Sequence, residues 1–324
     1  MGVFVFLPLI LPLTALPIAR LAEQHLHPRT TTRLLSWISG VLALCSTLCL
    51  GLLGVVGTAQ IPGNPLPDAW ADPEVRAAVP WDEAVGTGSI VALAVVVVTA
   101  AVTLGRHLRG RLRARWALAP LGSSASGFDS GSGVAVLDDE APYAYAVPGR
   151  RGRIVVSTAM LAHLDEDEQR ALYAHERAHL TGRHHRHLLV VRLAAAVNPF
   201  LAPLRDAVVF AAERWADEEA AEAVGDRRLV ARAVGRASLA LPRPPATTAL
   251  AQFAAPGPVP RRVAALLAPG PAVRHWPPAA SPAGLAALVA AAGTTVSAMS
   301  CLNASAALLL ILHTATASHG IGPG

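Results

Sequence analysis

The chain has 324 residues, 53% of them hydrophobic and only 15% charged, with a mean hydropathy of +0.44. A soluble domain carries about 25% charged residues, so these values argue against a wholly soluble protein and place part of the chain in lipid. The net charge of +5 comes entirely from arginine, since lysine is absent, and the arginines cluster beside apolar runs. That placement suits the orientation of membrane spans better than a nucleic-acid surface, and no direct nucleic-acid binding is expected.

Four apolar runs follow in chain order. Residues 3–19 contain Pro8, Pro12 and Pro17 and lack the positive start of a cleaved signal peptide, so they read as a retained, kinked span. Residues 35–58 and 86–105 are each long enough to cross about 30 Å of hydrocarbon. Residues 283–313 exceed one upright span and read either as one tilted helix or as a helix broken at Gly293–Ser297. Cys45, Cys49 and Cys301 all lie inside these runs without a CxxC pair, which makes them packing residues rather than a disulfide framework. The NAS at Asn303 lies within the last run and is discounted as a glycosylation acceptor.

The connecting loops orient the spans. Arg20, Arg29 and Arg33 stand against Glu23 in the loop at 20–34, whereas the loop at 59–85 carries Asp68, Asp72, Glu74, Asp82 and Glu83 against Arg76. Arg106, Arg109, Arg111, Arg113 and Arg115 follow the third run, with Trp116 as an interfacial anchor. An excess of arginine on the inner side puts both termini outside and residues 106–280 in the cytoplasm. The expected organisation is three spans in 1–116, a cytoplasmic domain in 117–280, and a last span with a short tail in 281–324.

Residues 117–132 read as a small-residue linker, and short β-like runs at 133–139, 143–147 and 153–157 read as a small sheet. Asp165 with Glu168 three residues later is a capping-box pattern, and Gly182 is a plausible stop, so a helix is expected between them. Residues 187–204 are apolar but hold Arg192, Asn198, Pro199 and Pro203, which suits a segment lying against the membrane or in the core. Helices are expected at about 205–225 and, capped by Asp226, just beyond; 242–278 is Pro-rich with one helical piece, PRRVAALLAP.

The first of these helices carries His175-Glu176-Arg177-Ala178-His179. Residues four apart share a helical face, so both imidazoles can point at one ion, and Glu176 can reach a water at the open ligand position as general base. A third ligand has two candidates. His185 completes H-E-x-x-H-x-x-G-x-x-H through Gly182, but that pattern calls for a methionine turn, and no methionine lies between the motif and the last span. Glu213 and Asp217 form a second pair four apart, one to ligate and the other to accept the free N–H of a ligand histidine. Glu213 is preferred, and His184, His185 and His187 are expected to be exposed loop histidines on a basic, lipid-proximal rim.

The stretch AYAVPGRRGRIVVSTAMLAHLDEDEQRALYAHERAHLTGRHH, followed by ERWADEEA, resembles the membrane zinc metallopeptidases of the BlaR/MecR antirepressor type, and more distantly the HtpX and CAAX-prenyl endopeptidases. The resemblance covers about residues 133–225. It implies a mainly α membrane protein of about four transmembrane helices with a cytoplasmic α+β, gluzincin-like zincin domain. It also implies one zinc ion on His175, His179 and Glu213, Glu176 as base, Asp217 behind a ligand histidine, and an edge strand near AYAV that pairs with an extended substrate. The implied partners are the bilayer and a protein substrate, a transcriptional repressor in the antirepressors. After the last span stands only TATASHGIGPG, with no penicillin-binding domain and no SxxK motif, so direct β-lactam sensing is not expected. HtpX-like quality control and a non-catalytic scaffold with a vestigial site are the competing readings.

Overall fold

A computed structural model describes residues 5–61, 63–67, 70, 82–118, 133–149, 152–241, 259–271, 278 and 281–319. Most of the acidic loop at 59–85, the linker at 119–132, and much of the Pro-rich stretch fall outside these residues.

The helices, in chain order, are α1 (Leu7–Ile10), α2 (Ala15–His25), α3 (Pro28–Ala59), α4 (Asp82–Leu118), α5 (Thr158–Ala162), α6 (Glu166–Thr181), α7 (His184–Val197), α8 (Ala202–Val224), α9 (Arg227–Ala240), α10 (Val259–Leu267) and α11 (Pro282–His319). The strands β1 (Val134–Leu137), β2 (Ala144–Val147) and β3 (Arg153–Ser157) lie between α4 and α5. The described residues are thus mainly helical, with one small sheet.

Among the described residues, three helical segments are long and apolar enough to cross a membrane: Pro28–Ala59, Ala84–Arg113 and Ala287–Thr314. The first apolar run is not a continuous helix. It is α1, a 3₁₀ turn at Leu11–Thr14, and then α2. Pro8, Pro12 and Pro17 each fall in the first turn of a new segment, where a backbone N–H has no helical partner to lose. The last run, by contrast, is one unbroken helix, so Gly293 to Ser297 do not interrupt it. Its length of about 57 Å follows from 1.5 Å per residue and fits a tilted or protruding span.

α3 and α4 meet backbone to backbone. A Cβ placed on Gly57 would stand 2.6 Å from backbone atoms of Gly86, so only glycine permits this approach. On its opposite end α3 shares a core with the site-bearing part of the chain. Ala19 of α2, Leu35 and Leu42 of α3, Val191 of α7, and Leu204 and Val208 of α8 are buried together. The 187–204 segment is therefore α7, a 3₁₀ turn at Pro199–Leu201, and the start of α8. Asn198, one of the residues that break its apolar pattern, is where the chain reverses: its carboxamide oxygen accepts from the Phe200 N–H at 3.1 Å, and its Nδ2 donates to Ser46 Oγ of α3 at 3.4 Å.

The sheet order is β1-β3-β2, with β1 parallel and β2 antiparallel to β3. β2 is an edge strand. The Tyr143 carbonyl preceding it accepts from Ser157 N–H of β3 at 3.0 Å. Ala144 and Ala146 of β2 line one cleft together with Glu176 of α6. One edge of β2 therefore faces α6.

Candidate metal centre

Asp165 and Glu168 start α6 with the expected capping box: Asp165 Oδ1 accepts from the Glu168 N–H at 2.9 Å, and Glu168 Oε2 accepts from the Asp165 N–H at 3.2 Å. Glu168 is fully buried and is also bound by Arg236 Nη1 at 2.8 Å, which ties the start of α6 to α9. Two turns on, His175 and His179 share one face, with their Nε2 atoms 3.1 Å apart.

α8 brings the second carboxylate pair to that face. Glu213 Oε2 lies 3.6 Å from His175 Nε2, and Glu213 Oε1 lies 3.6 Å from His179 Nε2. Asp217 Oδ1 lies 3.1 Å from His175 Nδ1. His175, His179 and Glu213 are the one group of three or more potential ligands found close together among the described residues. His185 is not in it; it lines the adjacent cleft.

The donor set fits a zinc ion. Two donors, each about 2.0–2.2 Å from a tetrahedral zinc, lie roughly 3.3–3.6 Å apart, close to the separations seen here. Charge points the same way. Three carboxylates, Glu176, Glu213 and Asp217, face one guanidinium, Arg262, and the two excess negative charges are what a divalent cation cancels. Without a cation, protons are drawn in. Burial works against a charged His175, but the neighbouring Asp217 and Glu213 carboxylates outweigh that and raise it to about 9. Burial, reinforced by repulsion from Glu213, pushes Glu176 up to about 7. His179 has no carboxylate at its Nδ1, and burial pulls it down to about 4.

Two members of the site were not singled out from the residues. Arg262 sits on α10, in the helical piece of the Pro-rich stretch. It binds Asp217 with two parallel bonds, Nε to Oδ2 at 2.8 Å and Nη2 to Oδ1 at 2.6 Å, and reaches Glu213 Oε2 with Nη1 at 2.9 Å. Its signal was faint: one arginine on the face of a short amphipathic helix, where a solvated charge is the default. Burial of that guanidinium, 5% exposed, shows otherwise.

The second is His184, and it corrects an expectation. His184 is not an exposed loop histidine; it opens α7, is 1% exposed, and places its Nδ1 2.8 Å from His179 Nδ1. His185 and His187 are half-buried on the same helix. The turn itself differs from the one expected at Gly182. Gly182 has an ordinary φ of −71°, and the left-handed residue is Arg183 at φ 51°. Glycine is required at 182 for space, because a Cβ there would stand 2.4 Å from His184 Nε2.

A cleft of about 150 Å³ opens beside the group, lined by Ala144, Ala146, Leu172, Val230, Ala233 and Glu176 among others. The free edge of β2 forms one wall.

Residues 123–202 match the family model for Peptidase family M48. The match supports a metallopeptidase, and the three apolar helices a membrane-associated one; it covers the sheet and the HExxH helix but ends before Glu213. No curated protein and no solved structure matches the chain.

Proposed function

We propose that the chain is a membrane zinc endopeptidase that hydrolyses peptide bonds of protein substrates at the cytoplasmic face. The observation that carries this reading is the convergence of His175, His179 and Glu213 beside a buried Glu176 and a free strand edge. A metal bound there supplies a Lewis acid that polarises the scissile carbonyl and lowers the pKa of a water toward about 7. Asp217 Oδ1, 3.1 Å from His175 Nδ1, is placed to take the Nδ1 proton and so turn the Nε2 lone pair toward the ligand position. Arg262 holds Glu213 and Asp217 in place together. Glu176 takes the proton of the attacking water and passes it to the leaving amine. The Ala146 edge of β2 receives an extended substrate backbone as an added strand, which aligns the scissile bond over Glu176.

Contacts between the α2–α3 junction and the site helices support the cytoplasmic side. Arg29 and Arg33 lie with their guanidinium carbons 5.5 and 5.2 Å from the Trp215 ring of α8, and Glu23 pairs with Arg261 of α10 at 3.0 Å. The arginines at the start of α3 and the site therefore share a side of the bundle, and an excess of arginine favours the inner side for it.

The test uses the full chain purified in detergent. Wild type and Glu176→Gln should each hold one zinc, with cleavage of an unfolded protein substrate slowed about 100-fold or more in the variant. Glu213→Ala should lose the zinc and His185→Ala should keep it. Equal cleavage by Glu176→Gln and wild type would sink the mechanism. Zinc kept by Glu213→Ala but lost from His185→Ala would move the third ligand to His185.

A further inference from the structure

Different groups stand behind the two metal-facing histidines. His175 Nδ1 meets a carboxylate, which can only accept a proton. His179 Nδ1 meets another imidazole nitrogen, His184 Nδ1, at 2.8 Å. Two ring nitrogens at that distance share one proton. Where it resides decides whether His179 can bind a metal, because a neutral imidazole carries its proton on one nitrogen and its lone pair on the other.

We infer that His184 is a positioning residue: it accepts the Nδ1 proton of His179 and so holds His179 in the tautomer whose Nε2 lone pair faces Glu213. This rests on the metal reading above and adds a residue to it. Three observations carry it. His184 is fully buried, and its Nε2 has no hydrogen-bond partner among the described residues, so the bond to His179 is the one polar contact its ring makes there. Its ring is clamped, with its centroid 4.5 Å from that of Trp215, itself 2% exposed. And the chain makes room for the ring through Gly182, where any Cβ would collide with it.

In the metal-competent state His184 is neutral and protonated on Nε2, with its Nδ1 lone pair toward His179. In the reverse arrangement His184 donates, His179 carries its proton on Nε2, and that nitrogen has nothing to offer a cation. Metal binding and the first arrangement therefore stabilise each other.

Packing alone would make a different prediction, and two substitutions separate them. His184→Phe keeps an aromatic ring against Trp215 but removes the acceptor. His184→Asn loses the ring but sets a carbonyl oxygen where Nδ1 stood. Zinc affinity of the full-length chain in detergent, measured by competition with a chromogenic chelator at constant pH, should fall about 10–100-fold in His184→Phe. In His184→Asn it should stay within a few-fold of wild type. Circular dichroism of the metal-free proteins should show unchanged helix content. If His184→Phe binds zinc as tightly as wild type, or His184→Asn binds as weakly as His184→Phe, His184 does not position His179. If wild type itself binds no zinc, the metallopeptidase reading falls with it; the first two outcomes leave that reading standing.

Discussion

The two halves of α8 are built on opposite principles. Its first half buries Leu204, Ala207 and Val208 in an apolar core with α2 and α3. Its second half buries Asp217 and Glu218, each held by arginine: Asp217 by Arg262, and Glu218 by Arg214 and Arg227. The apolar half is held by close packing of apolar side chains, a contribution that no ligand alters. The charged half is stable only as long as its charges are matched, so its stability responds to whatever cation is present. One helix thereby fixes the site to the apolar bundle at one end and presents the clustered charges at the other.

This contrast can be broken from either side. Arg262→Met should have the largest effect, because removing one partner of a buried ion pair leaves Glu213 and Asp217 uncompensated; about 3–5 kcal/mol of stability should be lost. Thermal unfolding in detergent would measure it, and saturating zinc should recover part of the loss by replacing the missing positive charge. An Arg262→Met protein as stable as wild type without metal would show that the guanidinium is not balancing those carboxylates. Leu204→Ala should cost about 2–5 kcal/mol through the cavity it leaves, and this cost should be the same with and without zinc. A zinc-dependent loss at Leu204 would erase the distinction between the halves. Gly57→Ala should cost less, about 1–3 kcal/mol, by forcing α3 and α4 apart at the Gly86 crossing far from the site. Its zinc affinity should be that of wild type; weakened binding would mean that the bundle and the metal group are coupled more tightly than a shared apolar core implies.

Much of the HExxH helix was legible in the residues. Asp165, Glu168 and Gly182 bounded α6 within a residue or so, because capping depends on side chains three or four positions apart. Asp226 likewise caps α9, donated to by the Arg228 and Leu229 N–H groups. The three strands stood where their short apolar runs stood, and two of the apolar runs became the helices Pro28–Ala59 and Asp82–Leu118. The prolines of the first run were read as kinks, but their spacing does not say that each begins a new segment. His184 was misread because exposure depends on how a turn is closed. A histidine after Gly182 looks like a loop residue until Arg183 takes a left-handed conformation and folds α7 back on α6.

By itself the sequence determined what depends on near neighbours: the HExxH face, the Glu213/Asp217 spacing, the caps, and the location of the long apolar helices. These follow from the 3.6-residue period and the thickness of hydrocarbon, which act over a few turns of chain. The tertiary structure alone decided what depends on distant segments meeting. It ordered the strands β1-β3-β2 so that an edge of β2 faces Glu176, and it joined α8 to α3 through one core. It also brought Arg262 to Asp217 across 45 residues of chain. No local pattern marks Arg262, because an arginine is buried only where carboxylates from elsewhere in the fold wait to receive it.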